Sequence, residues 1–131
     1  MTAPHERPLI YIAGPYSKPD PVENTHRAIK AGDAVWAAGG CPVIPHLSML
    51  WHAVSPAPYG TWLERDLGLL HRCDGLLRLP GESAGADGEV EFARLHCREF
   101  FTWAVLEPDD DVAEVAAELV AGLRGMTWEA S

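Results

Sequence analysis

The recurrence of short apolar segments is the feature that most limits the folds open to this chain. Each segment is nearly continuous in apolar residues, which is typical of strands buried on both faces of a parallel sheet. Glycine or proline stops the pattern, as in Gly14-Pro15 after the first segment and Pro80-Gly81 after the third. Four strands are predicted in this way, at residues 8–13, 41–45, 74–79 and 101–106. The second contains two prolines, which favours a short strand near an edge of the sheet.

The segments between these strands have helical spacing. In the first, alanines and Val35 recur every three or four residues until Gly39-Gly40 ends the pattern. Later stripes predict a helix around residues 62–70, one that starts at Glu89, and a last one opened by Pro108 and three aspartates. Residues 51–60, which contain two prolines, are expected to form a loop. Strands that alternate with helices predict an α/β domain with a mostly parallel sheet covered on both faces.

Composition limits the size and the partners of this domain. With 131 residues, of which 47% are hydrophobic, residues 1–131 are expected to form a single domain around one core. The formal net charge of −9 argues against nucleic-acid polymers and anionic membranes as partners, because both bind to basic surfaces. No apolar run approaches the roughly 20 residues of a membrane span, and no signal-peptide pattern is present, so we expect a cytoplasmic protein. The three cysteines fall in different predicted elements and are expected to be reduced.

Ligands of such a sheet bind beyond the carboxyl ends of its strands. Three loops of this chain meet there, at residues 14–24, 46–60 and 80–89. They contain no G-x-G-x-x-G dinucleotide fingerprint, no G-x-x-x-x-G-K-[ST] phosphate loop and no G-x-S-x-G serine elbow. The histidines and cysteines lack standard zinc spacing, so no metal site and no cofactor is expected.

Glu89 is the strongest candidate for chemistry. It is expected on the first turn of its helix, where free backbone amides and the helix dipole can hold a carboxylate ionised. It shares the face that packs on the sheet with residues three, four, seven and eleven positions later, namely Phe92, Ala93, His96 and Phe100. The next acid, Glu91, falls on the solvated face. An inward, ionised glutamate at this edge is a candidate nucleophile or base, although the helix dipole alone also favours an acid there.

Further polar residues reach the same edge of the sheet. Asp66 lies beside the apolar stripe of its helix, so it is either a second acid of the site or a surface acid paired with Arg65 or Arg72. Gly14 either lets a ligand approach the backbone or forms a simple turn. His46 directly follows the second strand. Aromatic residues that could stack on a base, or simply pack, are Trp51, Tyr59 and Trp62.

Three segments resemble, in the same order, the nucleoside 2'-deoxyribosyltransferase superfamily. They are Tyr11-Ile12-Ala13-Gly14-Pro15-Tyr16-Ser17, Glu64-Arg65-Asp66-Leu67 and Ser83-x-Gly85-x-x-x-Glu89. The resemblance covers about residues 8–106. Members share a compact flavodoxin-like parallel sheet and cleave the N-glycosidic bond of nucleosides or nucleotides. The most similar members are the 2'-deoxynucleoside 5'-phosphate N-hydrolases, which have a similar Glu-Arg-Asp-Leu helix and a serine six residues before the nucleophilic glutamate.

The resemblance implies a flavodoxin- or Rossmann-like three-layer sandwich with a small, mostly parallel sheet of four to five strands. It implies that Glu89 attacks C1' to form a glycosyl-enzyme that water resolves, while Asp66 assists the leaving base or sugar. The substrate is then a (deoxy)nucleoside 5'-monophosphate or a nucleoside. The protein is expected to be a homodimer or higher homo-oligomer, in which residues 125–128 of a neighbour are candidates to complete the pocket. The residues expected to bind substrate are Tyr11, Gly14, Tyr16, Ser17, His46, Trp51, Ser83 and Gly85.

The first loop departs from the hydrolases, which carry a phosphate-contacting arginine where this chain has Ser17. Lys18, Arg27 or a partner subunit would then supply the positive charge for a phosphate. Three alternatives stay open. One is a deoxyribosyltransferase that exchanges bases, and another is a non-catalytic nucleotide-sensing module on the same fold. The third is the phosphoribohydrolase family of cytokinin activation, whose Pro-Gly-Gly-x-Gly-Thr-x-x-Glu motif is half matched by residues 80–89.

Overall fold

A four-stranded parallel sheet forms the centre of the computed structural model, which describes residues 3–97 and 101–127. The strands are β1 (Leu9–Ala13), β2 (Cys41–Val43), β3 (Gly75–Arg78) and β4 (Thr102–Val105). Their spatial order is β2-β1-β3-β4, with Tyr11 of β1 opposite Val43 of β2 and Leu76 of β3. All four predicted strands are present, each one or two residues shorter than predicted, as is usual for strand ends. β2 lies at an edge, as its prolines predict.

Five α-helices connect and cover the strands in the described part of the chain. They are α1 (Pro21–Ala37), α2 (Met49–Val54), α3 (Tyr59–His71), α4 (Ala84–His96) and α5 (Val112–Thr127). Short 3-10 helices lie at Pro4–Glu6 and Pro45–Ser48. Asp20 caps α1, because its side chain accepts a hydrogen bond from the backbone amide of Val22. None of the helices within the described residues is long and apolar enough to cross a membrane.

Each face of the sheet is covered by one pair of helices. Because successive strand residues point to opposite faces, two apolar clusters form. One cluster joins the sheet to α1 and α5 and includes Ile10, Ile12, Val35, Leu77 and Leu123. The other joins it to α3 and α4 and includes Tyr11, Leu70, Leu76 and Ala93. Burial of each large apolar side chain contributes about 1.5–3 kcal/mol. The result is the three-layer α/β arrangement that was predicted.

The start of α4 differs from the sequence prediction. The helix begins at Ala84 and not at Glu89, because Ser83 Oγ accepts a hydrogen bond from Ala86 N at 3.0 Å and so caps it. Glu89 therefore lies in the second turn of α4. The prediction that it is held by the free amides of a first turn is wrong, since those amides belong to residues before it.

Two other predicted boundaries are also wrong. Residues 51–60 were expected to form a loop, but α2 and the start of α3 leave only residues 55–58 outside helices. α5 begins at Val112 and not at Pro108, because Glu107 and Asp110 first close a turn through two hydrogen bonds. Two positions used in the sequence analysis lie outside the described residues, namely Phe100 and Trp128, the last residue of the segment 125–128.

Candidate active site

A cavity of about 1030 Å³ lies beyond the carboxyl ends of β1, β2 and β3. Its walls come from the loop after β1, the 3-10 helix after β2, α3 and the first two turns of α4. This volume is at the upper end of those found for ligand pockets and admits a nucleotide. The predicted site residues in its lining are Gly14, Tyr16, Ser17, His46, Asp66, Ser83, Gly85 and Glu89. The fold thus brings together three loops that are far apart in sequence.

Glu89 presents a mostly buried carboxyl group to this cavity. Its Oε2 accepts a short hydrogen bond from the hydroxyl of Tyr11, which lies 78 positions earlier in the chain. The pKa of Glu89 is raised to about 7, chiefly by burial and also by the nearby Asp66, whereas the Tyr11 hydrogen bond and the charge of Arg78 act in the opposite direction. Near neutral pH the carboxyl therefore exchanges between its protonated and ionised forms.

Tyr11 is fully buried in the middle of β1 and does not line the cavity. Burial is the main cause that raises the pKa of its hydroxyl far above the usual range, and the Glu89 carboxylate adds to it. The hydroxyl thus keeps its proton near neutral pH and donates a hydrogen bond to Glu89. In this structure Tyr11 contacts the candidate nucleophile and is not itself exposed to the cavity.

Arg78 is a buried cation at the end of β3, only 8% exposed. Its guanidinium donates to the backbone carbonyl of Leu79 and to Asp87 Oδ1, the latter at 2.9 Å. Asp87 lies in the first turn of α4, so this ion pair ties the end of β3 to the start of the helix that carries Glu89. The sequence analysis did not single out Arg78, because it stands within an apolar strand segment.

Asp66 of α3 is a second half-buried carboxyl in the lining of the cavity. Burial raises its pKa to about 6. The alternative that it pairs with Arg65 or Arg72 does not hold, since none of the ion pairs among the described residues includes Asp66. Arg65 lies over an indole ring instead, and Arg72 donates to the carbonyl of Gly68 at 2.8 Å.

The loop after β1 forms one wall and is held by Asn24 of α1. The Asn24 side chain donates to the carbonyls of Tyr16 and Lys18, both at 2.9 Å. Gly14 is buried at the start of the loop, where a Cβ atom would lie 3.0 Å from the side chain of Leu79. Lys18 lines the cavity, whereas Arg27, the other suggested cation of this region, donates to Asn24 and does not line it.

His46 is 5% exposed and packs edge-on against the ring of Tyr16. Its Nε2 lies 2.9 Å from the carbonyl oxygen of Pro15, which can only accept, so Nε2 carries the proton. Nδ1 is therefore an acceptor, and it has no hydrogen-bond partner within the described residues. Burial lowers the pKa of His46, so the ring is neutral near pH 7.

The N-terminus of α4 faces the cavity with Ser83, Ala84 and Gly85. Because Ser83 Oγ accepts from the backbone, its hydroxyl proton is free to be donated to a ligand. A Cβ atom at Gly85 would lie 3.5 Å from the hydroxyl of Tyr59 and 3.8 Å from Ser83 Oγ. The space above Gly85 is thus bounded by two hydroxyl groups and by the amides of a helix N-terminus, an environment that suits an anion.

Trp51 does not line the cavity. It is 53% exposed, stands edge-on to Trp62 and lies under the guanidinium of Arg65, whose Cζ is 4.2 Å from its ring centre. Trp62 does line the cavity, and its indole N–H donates to His52 Nδ1 at 2.7 Å. Six of the eight predicted binding residues therefore line the cavity, and a seventh, Tyr11, contacts the site through its hydrogen bond to Glu89. Trp51 is the exception, since it is not part of the lining.

The charges around the cavity are mostly negative. Lys18 is its one lining cation within the described residues, against the acids Asp66, Glu82, Asp87 and Glu89. In the part of the chain that the structure describes, no group of three or more histidine, cysteine or acidic residues is arranged to hold a metal ion. A scan against models of protein families found no match, and a search of curated proteins found none. The function of the cavity is therefore inferred from its own residues.

Proposed function

We propose that this protein cleaves the N-glycosidic bond of a (deoxy)nucleoside 5'-monophosphate or nucleoside through a covalent Glu89 intermediate. The observation that carries the proposal is the Glu89 carboxyl, which faces a nucleotide-sized cavity and is bound from behind by the Tyr11 hydroxyl. A hydrogen bond to one oxygen fixes the carboxyl and leaves the other oxygen for attack on C1'. The resemblance to the deoxyribosyltransferase superfamily favours the same role for Glu89.

Asp66 supplies the second carboxyl of the reaction. In the first step the bond from C1' to the base nitrogen breaks as a bond from C1' to a Glu89 oxygen forms. The base leaves with the bonding electrons and takes a proton from Asp66. In the second step Asp66 takes a proton from water, the water oxygen bonds to C1', and the ester to Glu89 breaks. Because the pKa is about 6 for Asp66 and about 7 for Glu89, a single proton shared by the pair favours Glu89, and the reactive form, with the proton on Asp66, is the less populated of the two.

The remaining lining residues fit the other parts of a nucleotide. Ser83, Gly85 and the start of α4 offer donors to a 5' phosphate or hydroxyl, with Lys18 as the nearby cation. The base would lie against the aromatic rings of Tyr16 and Trp62, which are both part of the cavity lining. Water is the proposed acceptor of the glycosyl group, and a second base would make the protein a transferase.

We also propose that the chain works as a homodimer or higher homo-oligomer in the cytoplasm. Helix α2 supports association, since Leu50 and Val54 are 73% and 78% exposed on it. The three cysteines fall in different predicted elements, a pattern that favours reduced thiols and hence a reducing compartment. Light scattering of the purified protein would test the oligomeric state.

Base release from a substrate panel tests the proposal. Ribo- and deoxyribonucleosides and their 5'-monophosphates would be incubated with the protein, with and without a free acceptor base, and released base separated by chromatography. We expect release by the wild type, loss of at least about 1000-fold in Glu89→Gln, and wild-type release in Glu91→Gln. Glu91 is a matched control because it lies on the same helix, exposed and paired with Arg94 at 3.1 Å.

Three outcomes of this assay have separate meanings. Exchange of bases would identify a transferase with the same nucleophile. Release that persists in Glu89→Gln would reject the covalent mechanism. Binding of nucleotides by calorimetry without any release would reject the enzyme and favour a nucleotide-sensing module.

A further inference from the structure

Trp62 shares one face of α3 with the proposed acid Asp66. The two residues are four positions apart, so their side chains are neighbours on the helix surface, and both line the cavity. A base that takes a proton from Asp66 therefore lies within reach of the Trp62 indole. The orientation of this indole then decides how the base is held.

Three side chains fix the indole of Trp62, and none of them is used in the reaction as proposed so far. The indole N–H donates to Nδ1 of His52 at 2.7 Å. The ring of Trp51 stands edge-on to it, with the ring centres 5.0 Å apart, and the guanidinium of Arg65 lies 4.6 Å from the centre of the Trp62 ring. Because Arg65 is also 4.2 Å from the centre of the Trp51 ring, these two contacts lie on one side of the indole.

His52 makes the directional contact of this set. Its Nδ1 accepts from the Trp62 N–H and from the backbone amide of Ala57 at 3.4 Å, so the neutral ring holds its proton on Nε2. An indole N–H can only donate, and His52 offers it an acceptor at a fixed place. The contact also ties α2, which contains His52, to α3 and to the loop between the two helices.

We propose that His52 is a positioning residue that holds the Trp62 indole as the surface on which the base of the substrate stacks, with Trp51 and Arg65 packed behind it. This inference rests on the proposed function, since it takes the ligand to be a nucleoside or nucleotide. Stacking of a base on an aromatic side chain contributes roughly a tenfold to hundredfold gain in affinity. Loss of His52 should therefore weaken ligands that carry a base and leave ligands without a base unchanged.

Equilibrium binding in the Glu89→Gln background tests this role without any need for turnover. The probes are 2'-deoxyadenosine 5'-monophosphate, thymidine 5'-monophosphate and, as the ligand without a base, 2-deoxyribose 5-phosphate, each titrated by calorimetry. We expect His52→Leu to weaken the nucleotides about tenfold and the sugar phosphate not at all. His52→Asn, whose Oδ1 can replace Nδ1 as the acceptor, should restore nucleotide binding. His26→Leu is the matched control, since His26 is exposed on α1 and does not line the cavity.

A double-mutant cycle and the indole signal separate positioning from direct contact with the ligand. His52→Leu should add no further loss of nucleotide affinity in the Trp62→Leu background, because His52 acts through Trp62. In ¹⁵N spectra of the tryptophan indoles, the Trp62 signal is the one that Trp62→Leu removes. Its N–H should exchange faster with solvent in His52→Leu and not in His52→Asn. His52 is exposed, so both of its variants are expected to fold.

The results that would overturn the inference differ from those that would overturn the function. Unchanged nucleotide binding in His52→Leu would reject the role, and an equal loss with and without Trp62 would mean that His52 contacts the ligand itself. An equal weakening of the sugar phosphate would reduce His52 to a structural tie between α2 and α3. If the variants behave as expected and the wild type releases no base, the stacking surface stands and the glycosidase proposal fails. If base is released while His52→Leu binds like its parent, the glycosidase proposal stands and this inference fails.

Discussion

The protonation states of two carboxyls should decide the pH dependence of catalysis. Attack requires an ionised Glu89, whose pKa is about 7, and departure of the base requires a protonated Asp66, whose pKa is about 6. The reactive form holds one proton in the pair and places it on Asp66, and it is the minor of the two singly protonated forms because Glu89 has the higher pKa. We therefore expect a bell-shaped profile of kcat/KM with its maximum between about pH 6 and 7.

Asp66→Asn tests this assignment of the acid. It should lower kcat and remove the alkaline limb of the profile, since no group then has to stay protonated. Wild-type activity that instead rises to a plateau above pH 7 would show that the base leaves without a proton from Asp66. The measurement is initial rates of base release from pH 5 to 9 at constant ionic strength.

Burial of Glu89 should also make the stability of the fold depend on pH. Its pKa is raised from an ordinary 4.5 to about 7, so the folded state holds its proton where the unfolded chain has lost it. The stabilisation is complete below pH 4.5 and is lost as pH rises through 7. Relative to Glu89→Gln, we expect the wild type to lose up to about 3 kcal/mol of unfolding free energy between those limits.

Urea unfolding at pH 4.5 and pH 8 measures this difference. Glu89→Gln keeps an acceptor for the Tyr11 hydroxyl and lacks the titration, so the two proteins should diverge as pH rises. Glu91→Gln, on the solvated face of α4, should follow the wild type at both pH values. Equal pH dependence in wild type and Glu89→Gln would contradict the burial of an ionisable carboxyl at this position.

At the level of elements, periodicity was enough to predict the strands and part of the inward face of α4. Ala93 is buried and Phe92 is partly buried as predicted, whereas His96 was placed on the same face and is exposed. The apolar segments of β1 and β3 are buried on both faces, so their pattern is unambiguous. The start of α4 was predicted too late because Ser83 was interpreted as a ligand-binding residue and not also as a helix cap. The six-residue α2 was missed because a helix of that length has no complete amphipathic repeat.

Apolar patterns also allowed part of the candidate site to be predicted. A recognisable apolar segment precedes or adjoins each part of the site that was predicted, namely Glu89, Asp66 and the loop after β1. The Tyr11 to Glu89 hydrogen bond spans 78 positions and depends on the register of α4 against β1, which no local pattern contains. Trp51 was expected at the site because it is aromatic, but it packs with Trp62 and Arg65 on the outside of α3.

Ser83 has two separable roles at the start of α4. As a cap it accepts from Ala86 N, and removal of a cap typically costs about 1 kcal/mol. As a cavity residue it is proposed to donate its hydroxyl to the 5' end of the substrate. Ser83→Ala should lose both roles, whereas Ser83→Asp should keep the cap and place a negative charge beside a 5' phosphate.

Thermal unfolding and substrate preference distinguish these roles. We expect Ser83→Ala to be less stable than the wild type and Ser83→Asp to be about as stable as the wild type. The ratio of kcat/KM for a nucleoside 5'-monophosphate over its nucleoside should fall at least about tenfold in Ser83→Asp, from charge repulsion at short range. An unchanged ratio would place the 5' end elsewhere in the cavity.

For the molecule as a whole, charge opposes the approach of a phosphorylated substrate. The chain carries a formal net charge of −9, and the described lining of the cavity holds one lysine against four acids. A nucleoside 5'-monophosphate is a dianion near neutral pH, so long-range repulsion should slow its encounter with the site. Salt screens such repulsion, since the Debye length falls from about 30 Å at 0.01 M to about 8 Å at 0.15 M.

We therefore expect kcat/KM for the monophosphate to rise about two- to fivefold between 0.01 M and 0.15 M salt. The uncharged nucleoside is the matched control, and its kcat/KM should not change. Lys18→Gln should make the rise steeper, because Lys18 is the cation that opposes the repulsion at the cavity. A kcat/KM that falls with salt would instead mean that Lys18 and the N-terminus of α4 outweigh the net charge, and that the protein attracts its phosphorylated substrate in spite of the acids around it.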